Sequence, residues 1–125
     1  MREPTDGART ASIGSVGDDL TDAKTVFDRR EDLQILDVRE PFEWEAGHVE
    51  GSAHLPLNAL LSGGEDLDPS KPVAVVCSVG QRSEVGALML RARGYDAYNV
   101  EGGLRAWESE GLPLVTDDGG PGRCA

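Results

Sequence analysis

Twenty-three acidic side chains against twelve basic ones give this 125-residue chain a formal charge of −11, which argues against nucleic acid and anionic membrane surfaces as partners, since both demand clustered Lys and Arg. The length suits one domain with a core of its own and leaves no room for a second. No apolar run approaches the ~18 residues of a membrane helix, and Met1-Arg2-Glu3-Pro4-Thr5-Asp6-Gly7 lacks a signal-peptide core, so a soluble cytoplasmic protein is expected. The acidic residues are spread along the chain. They read as a solvated surface in preference to an adaptation to high salt, which a gain of thermal stability in molar KCl would reveal.

Residues 1–17 carry Pro4, Gly7, Gly14 and Gly17 among Ser, Thr and Asp, the composition of a flexible arm. Residues 18–32 read as an amphipathic helix with Thr21 or Asp22 as cap and Leu20, Ala23, Val26 and Phe27 as its apolar stripe. Residues 33–38 are dense in branched apolar side chains, the mark of a strand buried on both faces of a parallel sheet. Pro41 and Gly47 bracket a short helix. Residues 53–56 form a short strand closed by Pro56, and residues 57–61 a brief helical turn before Gly63-Gly64.

Residues 73–76 are a second buried strand, and they lead through Cys77 into a small polar loop. Val85, Leu88, Met89 and Ala92 then recur at helical spacing, and Gly94 after Arg91 and Arg93 ends the helix. With a strand at 96–100 this makes a right-handed βαβ unit. A last helix begins near Glu101 and stops at Gly111-Leu112-Pro113, leaving residues 116–125 as a flexible tail. The expected fold is one α/β domain over 18–115, a mostly parallel sheet with helices on both faces.

Cys77 thus lies just beyond the carboxyl end of a buried strand, where α/β sheets bind ligands. A cysteine at a strand end is commonly an inert core thiol. Here Ser78, Gly80 and Ser83 keep the loop small so that its N–H groups converge, Arg82 adds positive charge, and a helix N-terminus lies behind; each lowers a thiol pKa. Arg82 follows Cys77 at Cys-x4-Arg spacing. That is one residue tighter than the Cys-x5-Arg of phosphatase loops, and it suits the outer sulfur of a persulfide.

Leu36-Asp37-Val38-Arg39-Glu40-Pro41-Phe42-Glu43-Trp44, with residues 47–56, resembles the N-terminal signature of single-domain rhodaneses, which are sulfurtransferases. Residues 75–83 are similar to their active-site loop, and Val100-Glu101-Gly102-Gly103 with Trp107 and Gly111-Leu112-Pro113 to their C-terminal signature. The resemblance implies that Cys77 is the nucleophile that takes the sulfane sulfur and that Ser78, Val79, Gly80, Gln81 and Arg82 hold the persulfide, with Arg82 meeting an anionic donor. It implies a small-molecule donor such as thiosulfate or a protein persulfide, a thiol or cyanide as acceptor, and no metal or organic cofactor. Many members place Arg directly after the cysteine; Ser78 stands there in this chain, which weakens the attraction for a dianion.

The other candidates read as structural. Asp37 and Arg39 form a buried pair beside the loop. His48 and His54 lack the partners of a metal site, and Trp44 and Trp107 are core aromatics facing the sheet. Cys124 reads as a surface cysteine in preference to a resolving thiol. The competing functions are a non-catalytic rhodanese-like binding module and a cysteine phosphatase.

Overall fold

A computed structural model describes residues 20–125; the arm expected over 1–17 lies outside them. Helix α1 (Ala23–Asp28) is capped by Asp22, whose carboxylate accepts the Thr25 N–H at 3.0 Å. The helix is shorter than expected and gives way to a 3-10 turn over Arg30–Asp32. Its expected stripe holds: Leu20, Ala23 and Val26 are buried, and Phe27 sets its edge against Trp107 at 5.7 Å.

Strands β1 (Gln34–Asp37), β2 (Ala53–His54), β3 (Val73–Val76) and β4 (Ala97–Asn99) form one sheet in the order β2-β1-β3-β4, parallel throughout. Between them lie α2 (Pro41–Ala46), α3 (Leu57–Leu61) and α4 (Gln81–Ala92), and α5 (Gly103–Ser109) follows β4. Alternation along the strands divides the core in two. Ile35, Ala74 and Val76 pack with Leu20, Val26, Leu104 and Trp107, while Leu36, Val73 and Val75 pack with Leu60, Ala87 and Leu90 on the opposite face. Each such large apolar side chain contributes roughly 1.5–3 kcal/mol by leaving water, so strands of four residues suffice.

The α4 stripe differs from expectation. Val85, Leu88 and Ala92 are exposed, and the face turned to the sheet is Ser83, Gly86, Ala87 and Leu90. Small residues win because the helix lies close: a Cβ at Gly86 would stand 3.1 Å from Leu60 Cδ2 and 3.3 Å from Val75 Cγ1. Trp44 also departs from expectation. It is only half-buried, and it stacks on His48 at 3.6 Å and His54 at 4.8 Å while α2 buries Glu43 instead.

Residues 116–125, expected as a loose tail, fold back on the domain. The Gly122 N–H donates to Leu114 O at 2.8 Å, Arg123 N–H to Ala46 O at 3.0 Å, and Cys124 N–H to the Glu108 carboxylate at 3.0 Å. Gly47 makes this possible, since a Cβ there would lie 2.3 Å from Arg123 N. Glycines that suggest mobility in the sequence are points of close backbone approach. Cys124 therefore joins the core, 9% exposed, and is not a surface cysteine.

Candidate active site

The parallel register brings the carboxyl ends of β1 and β3 level, pairing Asp37 with Val76. Cys77 is the next residue, and its carbonyl and that of Ser78 accept the N–H groups of Leu104 (2.8 Å) and Arg105 (3.0 Å) in the first turn of α5. With the carbonyls turned outward, the loop amides turn inward. The Gly80 N–H reaches Cys77 Sγ at 3.1 Å and the Ser83 N–H at 3.3 Å. Two glycines permit the geometry. Gly80 adopts φ +105°, and Gly103, at φ +60°, would drive a Cβ to 2.4 Å from Cys77 O.

Burial pushes the Cys77 thiol up. The Ser83 hydroxyl and the amides of Ser83, Gly80 and Val79 together pull it further down, so it lies below its ordinary value. Ser83 Oγ is 3.3 Å from Sγ and also donates to Asn99 Oδ1 at 2.5 Å, while Asn99 Nδ2 is held by Gly80 O at 3.1 Å. A hydroxyl has one proton. With the neutral thiol, S–H donates to Ser83 Oγ; with the thiolate, the Ser83 proton turns to sulfur.

Ser78 and Arg82 face elsewhere. The Ser78 hydroxyl donates to Glu43 Oε2 at 3.0 Å, and Arg82 grips the same carboxylate through Nη1 (2.7 Å to Oε1) and Nη2 (2.9 Å to Oε2). The Arg82 guanidinium accordingly holds the Glu43 carboxyl down at about 2 against the opposing effect of burial. Val79 is 52% exposed and Gln81 is exposed at the start of α4. Of the five residues expected to hold the persulfide, the structure brings the amides of Val79 and Gly80 to Cys77, leaves Gln81 in solvent, and binds Ser78 and Arg82 to Glu43.

Ser83, Asn99 and Glu43 are not among the expected site residues. Ser83 is visible in the sequence as one of the small loop residues; Asn99 and Glu43 carry no local signal, because they arrive from β4 and α2. Asp37 and Arg39 form the expected pair, fully buried, with Arg39 Nη2 2.8 Å from Asp37 Oδ2 and donating to Gly47 O at 2.7 Å. Among the described residues no group of three or more His, Cys, Asp and Glu is placed to hold a metal, and no helix is long and apolar enough to cross a membrane.

Known proteins resemble the chain in sequence and in fold. Over 75 residues, 59% of this chain, it is 39% identical to "Uncharacterized protein YqhL" of Bacillus subtilis, and over 85 residues, 67% of the chain, 35% identical to that organism's "Putative sulfur carrier protein YrkF". The matches span 60% and 46% of those relatives' own lengths. A rhodanese-related protein from Thermoplasma volcanium superposes with a TM-score of 0.73 at 33% identity, covering 77% of this chain and 96% of the other. A rhodanese-like domain protein from Staphylococcus aureus gives 0.67 at 28% identity, covering 76% and 94%. Residues 20–110 match the family model described as Rhodanese-like domain, and the chain belongs to that family.

Proposed function

We propose that this protein is a sulfurtransferase that carries sulfane sulfur as a persulfide on Cys77, in the cytoplasm. The observation that carries the reading is the ring of donors around Cys77 Sγ, the Gly80 and Ser83 amides and the Ser83 hydroxyl, with the thiol shifted toward its thiolate. The thiolate attacks the outer sulfur of a donor such as thiosulfate or a protein persulfide. The donor's bond to that sulfur breaks, the leaving group departs with the electron pair, and Cys77 keeps the sulfur as a persulfide anion. The inward amides that lower the thiol pKa stabilise this anion as an oxyanion hole does. Attack by cyanide or a thiol on the outer sulfur then returns the Cys77 thiolate. The sulfur-carrier name of one relative supports such a relay. A phosphatase reading has against it an Arg82 already committed to Glu43.

Incubation with a sulfane donor is expected to add one sulfur mass to the intact protein, and Cys77→Ala to abolish the addition. The same adduct in the variant overturns the assignment. A protein that folds, takes up no sulfur from any donor and differs in no activity from Cys77→Ser is a binding module instead.

A further inference from the structure

We propose that Glu43 selects the sulfur donor by charge: it keeps the Arg82 guanidinium from the incoming substrate, so that the site favours donors bearing a single negative charge over dianions. The proposal rests on the sulfurtransferase reading and names the donor class for that site.

The carboxylate is buried and fully engaged. Oε1 accepts the Glu40 N–H at 2.9 Å and Arg82 Nη1 at 2.7 Å; Oε2 accepts the Ser78 hydroxyl at 3.0 Å and Arg82 Nη2 at 2.9 Å. Arg82 Nη2 also lies 3.2 Å from Ser78 Oγ, so three of the five N–H groups of the guanidinium point to Glu43 and Ser78, while the side chain is 36% exposed. Such a two-pronged pair is among the stronger contacts a protein makes. An anionic donor that takes these N–H groups must compete with Glu43 for them, and one that takes the others meets a cation whose charge Glu43 already balances. The carboxylate stays ionised at neutral pH.

An arriving donor therefore meets the Cys77 thiolate and an acidic surface beside a cation that is already neutralised. Repulsion scales with the donor's charge, so a dianion suffers it twice over. The elements that carry Glu43 and Ser78 also present Phe42 and Val79, 70% and 52% exposed. Exposed apolar side chains on these elements suit the carbon side of an organic carrier and offer nothing to an inorganic dianion.

Thiosulfate and methanethiosulfonate form a matched pair of probes. Each is attacked by the Cys77 thiolate at its terminal sulfur; the S–S bond breaks, and sulfite or methanesulfinate leaves with the electron pair. The two differ by one charge. The wild-type chain is expected to show the higher kcat/KM with methanethiosulfonate, by a margin that narrows as ionic strength rises. Glu43→Gln is expected to raise kcat/KM for thiosulfate about tenfold relative to methanethiosulfonate, mostly through KM, the worth of one charge-assisted hydrogen bond released to substrate. An unchanged donor ratio in a folded Glu43→Gln overturns the selector role and leaves sulfur transfer standing. Should that variant not fold, the wild-type ratio decides, because equal use of the donors or a preference for thiosulfate overturns the proposal. Failure of both donors to load Cys77 removes the underlying reading as well.

Discussion

Cys77 and Cys124 are both buried thiols, yet their surroundings drive them in opposite directions. Burial raises Cys124, and the Arg39 and Arg105 guanidiniums offset it only partly, so the thiol stays above its ordinary value. Burial acts on Cys77 in the same sense, but the amides and hydroxyl of its loop together overcome it. Around these two thiols, N–H groups aimed at sulfur overcome burial where guanidiniums that do not touch the sulfur leave it in force. The chain obtains those N–H groups by tying the loop carbonyls to the first turn of α5.

The sharpest way to break the contrast is to spoil that tie. Gly103→Ala forces a Cβ against the Cys77 and Ser78 carbonyls at a left-handed backbone position, and is expected to cost about 3 kcal/mol in chemical denaturation and to abolish sulfur loading. Acid weakens the neighbouring Glu43 latch. Its carboxyl is held at about 2 against an ordinary 4.5, so its contribution, about 2 kcal/mol once solvent screening of the part-exposed Arg82 is allowed for, is complete above pH 4.5 and lost as the pH falls toward 2. Denaturation of the wild type and Glu43→Gln across that window should show the stability difference between them changing by that amount as the pH falls, over the loss that Asp68 and Asp118 give to both.

Ser83→Ala removes one donor from Cys77 Sγ and should slow alkylation of Cys77 at pH 7 about tenfold, with the pH profile displaced upward. A profile that does not move would show that the amides suffice. Cys124→Ala makes the smallest change. About 1 kcal/mol of packing is lost, and sulfur loading at Cys77 proceeds as before by intact mass. In the wild type, iodoacetamide should modify Cys77 at a lower pH than Cys124; the reverse order would undo the contrast between the two thiols.

Much of this architecture is legible in the order of residues alone. Short branched apolar runs separated by helical segments mark a parallel α/β sheet, because a strand covered on both faces has no polar side to show. Cys77 stands out through its position after such a run and the small residues behind it. The Asp37–Arg39 pair is visible because one intervening residue puts both side chains on the same side of an extended chain.

What the residue pattern does not show has one physical cause, the meeting of segments distant in sequence. Periodicity points to the wrong face of α4 because Gly86 and Ala87 are weakly apolar, and only the closeness of β3 makes small residues the right ones to bury. Glu43 and Arg82 lie 39 positions apart, and Ser83 and Asn99 16 apart; nothing in the local pattern of either pair points to its partner. The glycines of residues 116–125 suggest mobility, and the contact with Gly47 turns them into packing surface. Hydrophobic periodicity and loop composition are local properties, so the layered fold and the place of Cys77 in a small loop at a strand end follow from the chain's own pattern. Which charges and hydroxyls surround that cysteine, and that Arg82 is already bound to Glu43, are settled by tertiary contacts, because those exist only where separate elements converge.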